Sequence, residues 1–458
     1  MNSPHSSCGQ AKNKPLLHRF NKSWIRAGAM ILLTLSVSSC GRGDLTTLNL
    51  MPAPAAFTET GLQIKESTKE KILHENSILY ATDREPADKN SKQSYYKNSR
   101  GNVLRLGEAE VGLQDTLLTL NDLYDVSLLK DRSEKYPIGV DSVDEFGVLK
   151  ESVTPLHTRP KSFDVDADIA GRTFANKVNN KLHRSDHKDI YLYVHGYKVT
   201  FENPILIAAE LWHFTGYEGV FVAYSWPATP KALAYIGDSE TASYSAHNFR
   251  IFLNYLASST DARRIHIISY SAGTRMVVDA LGDMALQTQH LSASQRKSQL
   301  KLGNVVLMAS DVDRGIFAGK IADGADQIVD HLIVYQNSRD KALSIPEMLN
   351  GRRRLGQALP DDNISDEVHR YIRNSKSLQF VDVSKAAFST KANGHGYLRA
   401  SPWVSSDILI ATSTNMSPAE RGLVRSDDDT TWSFPSDYIS RLKGALLKIN
   451  PDLEDTSE

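Results

Sequence analysis

The sequence predicts an α/β protein: a mostly parallel, doubly wound sheet with helices on both faces, preceded by an N-terminal accessory region. Three observations carry this. Short apolar runs of strand length recur after Arg184, and stretches of helical periodicity separate them. At Ser271 an apolar run turns into a helix through small residues. Apolar runs of this kind are what strands buried on both faces require. Their alternation with helices places the crossovers on both faces of the sheet.

The chain opens on residues 1–39, which read as a secretory signal. Lys12, Lys14, Arg19, Lys22 and Arg26 precede the apolar stretch Ala27 to Val37. That run falls short of the roughly 20 apolar residues a membrane span needs. It ends in Val37-Ser38-Ser39-Cys40-Gly41, which resembles the lipobox of bacterial lipoproteins. The resemblance implies cleavage before Cys40 and lipidation of its thiol, whose thiolate is nucleophilic enough to form the thioether. Gly41 in place of an acid then favours the outer membrane, facing the periplasm. Residues 40–76, with Pro52 and Pro54, read as a tether. The only other cysteine is Cys8, so a disulfide framework is excluded.

Residues 77–185 read as the accessory region, made of short strands. Ser77 to Thr82, Val103 to Gly107 and Ala109 to Leu113 are β-prone, and form either a separate sheet or an extension of the main one. The stretch from about 120 to 185 has no assignable pattern. The catalytic domain is expected over 186–415. Its strands are Asp189 to Val194, Val220 to Ser225, Arg264 to Ile268, Asn304 to Met308, Leu332 to Tyr335 and Leu378 to Val383. Helices are expected over Asn203 to Phe214, about Ser239 to Ala257, and Met276 to Leu286. Residues 416–458 are left as a C-terminal segment.

The third of these strands runs into Ser269-Tyr270-Ser271-Ala272-Gly273. Small residues flanking a serine between strand and helix are the pattern of a nucleophile elbow, in which a sharp turn lifts the hydroxyl above the sheet. The helix N-terminus beside it favours developing negative charge. After the first strand stands Val194-His195-Gly196-Tyr197. There the glycine lets the main chain bend, so the N–H groups of Tyr197 and Ala272 are expected to form an oxyanion hole. His195 precedes the serine, and its position before the glycine suits a loop support better than a base. His395, in the late loop Asn393-Gly394-His395-Gly396, is the expected base. The expected acid is Asp340, after the strand ending at Tyr335, with Asp311 and Asp313 as alternatives one strand earlier.

Together these segments resemble the DUF900 group, bacterial esterase/lipase-like α/β-hydrolases. The matching residues include Tyr80-Ala81-Thr82-Asp83-Arg84, Val194-His195-Gly196-Tyr197, Tyr224-Ser225-Trp226-Pro227 and Ser310-Asp311-Val312-Asp313. They continue through Ser338-Arg339-Asp340 and the His395 loop, so that the resemblance spans roughly 76–415. It implies the α/β-hydrolase fold and a triad of Ser271, Asp340 and His395. Tyr270 stands where the family commonly has a histidine.

The function expected from these residues is acyl transfer from an ester, a small molecule or a lipid, to water. An amidase or peptidase with the same triad, or a binding protein on a hydrolase scaffold, are the alternatives. No cofactor is called for, and no metal-ligand spacing such as HExxH or CxxC occurs. With 53 basic and 54 acidic residues the net charge is -1, which argues against nucleic acid as a partner. The expected partner surface is the membrane, reached through lipidated Cys40. Composition says nothing of oligomeric state.

Overall fold

The apolar runs become the middle of one 12-stranded sheet, in the order β1-β4-β3-β2-β6-β5-β7-β8-β9-β10-β12-β11. The structure is a computed structural model; it describes residues 46–60, 76–114, 120–132, 134–156, 168–358, 365–427 and 429–450. All of these belong to one compact unit. The signal, the lipobox and Cys40 lie outside the described residues. Among the described residues no helix is long and apolar enough to cross a membrane.

The strands are β1 (Thr47–Asn49), β2 (Ser77–Pro86), β3 (Tyr96–Leu113), β4 (Pro137–Val148), β5 (Asp189–Val194) and β6 (Val220–Ser225). Then follow β7 (Arg264–Tyr270), β8 (Leu302–Met308), β9 (His331–Gln336), β10 (Leu378–Asp382), β11 (Val424–Arg425) and β12 (Trp432–Ser433). From β2 across to β12 neighbouring strands are parallel. The antiparallel pairs sit at the two edges. Strand β5 lies at the centre, its six residues all buried.

Helices cover both faces. On one side Ile190, Leu192 and Val194 of β5 pack against α1 (Ile169–Arg184), α3 (Tyr235–Ser259), α4 (Gly273–Gln287) and α5 (Arg314–Ala322). On the other, Tyr191 and Tyr193 meet α2 (Glu202–Phe214) and α7 (Pro402–Ser413), with α6 (Ser344–Asn350) lying between them in sequence. The period-two alternation of a strand thus feeds two cores from a run that is apolar throughout.

Three segments differ from expectation. Residues 46–60, within the stretch expected to be a tether, join the body: β1 pairs with β4, and Met51, Ala53 and Ala55 are buried. The accessory region extends the main sheet, with strands that are not short, since β3 has 18 residues and β4 has 12. Nor does the sheet stop at 186 or 415, because β11 and β12 complete its far edge. These edge strands carry mixed polar and apolar residues because one side or rim of each meets solvent, which erases the continuous apolar signal.

The C-terminal segment is tied in by a buried ion pair. Arg421 donates Nε–H to Asp407 on α7 at 2.8 Å, while Tyr335 of β9 donates its hydroxyl to the other carboxylate oxygen at 2.6 Å. Both charged side chains are almost fully buried. Arg421→Ala should therefore lower the unfolding free energy by about 3–5 kcal/mol, since it strands a buried carboxylate without its counter-charge. Denaturant titration of the two proteins measures the difference.

Candidate active site

Strands β6 and β7 flank β5 on opposite sides, so the chain departs from the centre of the sheet in opposite directions. Such a switch point leaves a crevice at the carboxyl ends of the strands. Here it brings the loop after β5 against the turn after β7. A Cβ on Gly196 would lie 2.9 Å from the Cβ of Ser271, and one on Gly273 only 2.2 Å from the carbonyl oxygen of His195. Two glycines are needed because the main chains themselves are in contact.

Ser271 has φ 52°, a left-handed conformation that a serine adopts at a cost of about 1–3 kcal/mol. Its surroundings hold it there. The Ser271 N–H donates to Met308 O at 2.9 Å, continuing the ladder of β7 and β8 by one bond. Thr274 donates its hydroxyl to Ser271 O at 2.6 Å, and the Thr274 N–H does so at 3.0 Å. The outcome is a buried serine whose Oγ points to one partner, His395.

His395 joins the two expected residues. Ser271 Oγ lies 2.9 Å from its Nε2, and Asp340 Oδ2 lies 2.7 Å from its Nδ1. Since a carboxylate only accepts, Nδ1 carries the proton and Nε2 is left to accept from the serine hydroxyl. The Asp340 side chain is fully buried, and its other oxygen accepts from the N–H groups of Ala342 (3.0 Å) and Leu343 (3.2 Å). Both oxygens are thereby oriented, one by the main chain and one by the imidazole.

The rival acids have other duties. Asp311 is buried and accepts from Tyr235 Oη at 2.7 Å and Arg275 Nε at 3.0 Å, with Arg354 Nε 3.5 Å from its second oxygen. Asp313 caps α5, accepting from the N–H groups of Gly315 and Ile316. Neither is left for His395. His195 is also occupied as a support. It donates Nδ1–H to Gly196 O at 2.6 Å, its ring stacks on Trp226, and Trp226 Nε1 donates to His195 O at 2.7 Å. Burial holds its pKa well below the usual imidazole value, so it stays neutral.

The N–H groups of Tyr197 and Ala272 have no main-chain or side-chain acceptor among the described residues. They flank the serine on the two loops that Gly196 and Gly273 bring together. Their arrangement, with Ser271 and His395, can support attack of the serine oxygen on a carbonyl carbon and hold the resulting oxyanion. Among the described residues no group of three or more His, Cys, Asp or Glu side chains could hold a metal ion.

Several residues that position the site were not legible in the sequence. Asn337 is fully buried; its Nδ2 donates to Gly394 O at 2.7 Å and Ser389 O at 3.1 Å, while its Oδ1 accepts from the Arg339 N–H at 3.0 Å. It therefore staples the acid loop to the histidine loop. Tyr397 donates to Tyr335 O at 3.0 Å and accepts from the Ala309 N–H, beneath the same loops. The third is Arg84, whose guanidinium reaches Ser225 Oγ, Asn98 Oδ1, Ala228 O and Val199 O. It locks the loop that carries Tyr197 to the end of β6. Arg84 stands in one of the segments that carry the family resemblance, but the roles of all three come only from the contacts of the fold.

A parallel sheet with a serine turn, an acid loop and a histidine loop on the carboxyl ends of β7, β9 and β10 defines the α/β-hydrolase scaffold. The chain belongs to the DUF900 family, described as α/β hydrolases of unknown function, whose family model matches residues 171–412. Comparison with curated proteins gives no match. The matched segment covers both loops and the serine turn, and begins after the Tyr80–Arg84 segment.

Two outcomes follow for stability. Asn337→Ala leaves two buried carbonyls without donors and should cost about 2–6 kcal/mol in denaturant titration, at about 1–3 kcal/mol per stranded group. Beside Arg84, burial raises the Asp83 carboxyl to about 6 from 3.8. The folded state then holds its proton more tightly than the unfolded chain, so ionisation opposes folding as pH rises from about 4 to 6. Asp83→Asn removes that penalty. Its stability relative to the parent should improve by on the order of 3 kcal/mol between pH 4 and pH 7, read from melts at both values.

Proposed function

We propose that this chain is a serine hydrolase of the bacterial cell envelope that cleaves a carboxylic ester through Ser271, His395 and Asp340. The observation that carries the reading is the bridging position of His395, 2.9 Å from Ser271 Oγ and 2.7 Å from Asp340 Oδ2. His395 Nε2 takes the serine proton as Oγ bonds to the ester carbonyl carbon. The oxyanion is held by the Tyr197 and Ala272 N–H groups. On collapse, the proton passes from His395 to the departing alcohol, leaving Ser271 acylated. Water, deprotonated by the same imidazole, then releases the acid and restores the serine. Asp340 keeps Nδ1 protonated and balances the imidazolium that forms in each half.

The envelope location rests on the basic segment before Ala27 and on Val37-Ser38-Ser39-Cys40. A lipid on Cys40 would hold the body at the outer membrane, on its periplasmic side. Metabolic labelling with palmitate should mark the full-length protein and be lost in Cys40→Ala.

The catalytic reading is tested with a fluorophosphonate probe on the wild type and on Ser271→Ala. Labelling should be abolished by the substitution, and turnover of a soluble aryl ester should fall by on the order of 10⁶. An unlabelled but folded wild type would sink the hydrolase reading in favour of a binding protein on the same scaffold. Profiling matched ester and amide substrates separates esterase from amidase. To identify the acid, Asp340→Asn should lower kcat by on the order of 10⁴ through loss of the correct imidazole tautomer. Asp313→Asn, which alters a helix cap, should leave kcat unchanged.

A further inference from the structure

Five large apolar side chains are exposed on the connections that leave the carboxyl ends of the parallel strands, three of them on α3, α5 and α6. They are Leu233 (82% exposed), Ile236 (72%), Met348 (54%), Ile316 (52%) and Phe388 (38%). Scattered singly, such residues would need no explanation. These are linked by contacts between the segments that carry them. Tyr235, between Leu233 and Ile236, bonds to Asp311, and the neighbouring Asp313 pairs through its main chain with Arg354. Arg354 donates to Pro346 O, two residues before Met348. The Lys341 N–H donates to Asn393 O, at 3.0 Å, which brings in the loop that carries Phe388 and His395.

The same loops carry a one-sided charge. Arg339, Lys341, Arg352, Arg353, Lys385 and Lys391 are all exposed there. Among the described residues the acids beside them are buried, hydrogen-bonded or paired, Asp382 by accepting from Ser384. Asp311 and Asp340 are buried, Asp313 caps a helix, and Glu347 lies 3.7 Å from Arg353. Lys391 and Lys130 sit over the ring of Phe388, at 4.2 and 5.4 Å, so base and apolar group are interleaved. The whole chain has a net charge of -1, and the basic rim is therefore a local segregation.

A soluble polyanion would use the bases and leave the apolar side chains in water. A purely apolar partner would bury the bases at a cost. An anionic bilayer meets both needs, because apolar side chains enter the acyl boundary while lysine and arginine stay among the phosphates. We propose that this rim docks on an anionic phospholipid surface, and that the ester substrate reaches Ser271 from that surface. The second clause rests on the serine-hydrolase reading; the docking does not.

The test is flotation of the full chain with vesicles of phosphatidylcholine, alone or with roughly 30% phosphatidylglycerol, an anionic fraction large enough to set up a negative surface potential. All proteins carry Cys40→Ala, so that any contribution of the N-terminus is common to them. Vesicles with phosphatidylglycerol should bind at least about tenfold more tightly, and the preference should fade as salt rises. Lys231 is exposed as well, two residues before Leu233, and Lys231→Glu/Arg352→Glu/Arg353→Glu/Lys385→Glu should weaken that binding by about 100-fold or more. Leu233→Ser/Ile236→Ser/Met348→Ser should weaken it by about tenfold or more. Both multiple variants change exposed side chains only, and should melt and react with fluorophosphonate like the parent.

Equal binding to the two vesicles, or undiminished binding by the charge-reversed variant, overturns the proposal. Undiminished binding by the serine variant, with equal affinity for soluble polyphosphate, overturns it in favour of a soluble polyanion. Ser271→Ala should bind vesicles like the parent. Binding without probe reactivity in the parent therefore removes the hydrolase reading alone, and reactivity without binding removes the docking alone.

Discussion

The architecture of the site depends on main-chain contact between the loop after β5 and the turn after β7. At this switch point the His195 carbonyl faces Gly273, and Gly196 faces the Cβ of Ser271. A side chain at either glycine would force the loops apart. The contact fixes where the Ser271 hydroxyl emerges and where the Tyr197 and Ala272 N–H groups face. Much nearby structure serves to hold it. Trp226 clamps His195 by stacking and by a hydrogen bond to its carbonyl, and Arg84 ties the same loop to the end of β6. The strained φ of Ser271 is tolerable because three hydrogen bonds to its own N–H and carbonyl offset it.

The three aspartates near the serine show how environment divides labour among identical side chains. Asp311 is surrounded by Arg275, Arg354 and Tyr235, and its charge is consumed in holding the segment around Tyr235. That segment in turn places the Tyr235 ring edge-on to Tyr197, 5.6 Å away. Asp313 is spent on a helix N-terminus. Asp340 alone has one oxygen anchored by main-chain donors and the other turned to an imidazole. Burial does the opposite for His195, which stays neutral and acts as a packing ring. Two histidines far apart in the family-matched segment thus differ because one is sealed and the other faces the serine.

Much of the central sheet was legible because its strands obey one strong rule. Asp189–Val194 and Val220–Ser225 are apolar apart from the terminal Asp189 and Ser225, and the structure reproduces both as expected. The helices after them were readable for the same reason, although α3 begins four residues earlier than its apolar face suggested. Local rules failed at the margins. Strands β3 and β4 carry charged residues at irregular intervals, and β1 owes its form to pairing with the distant segment Pro137–Gly139.

What the sequence determined by itself was local: the buried strands, the serine turn with its small neighbours, and the serine, acid, histidine order along the chain. These follow from periodicity and from the steric demands of a turn, which act over a few residues. Only the tertiary structure decided which aspartate meets His395, since three candidates lay within thirty residues and the choice is made by burial and by competing donors. It also decided the roles of Asn337, Tyr397 and Arg84, whose partners come from segments as much as 144 residues distant. Such roles are properties of contact, and contact is fixed when the sheet closes its order around β5.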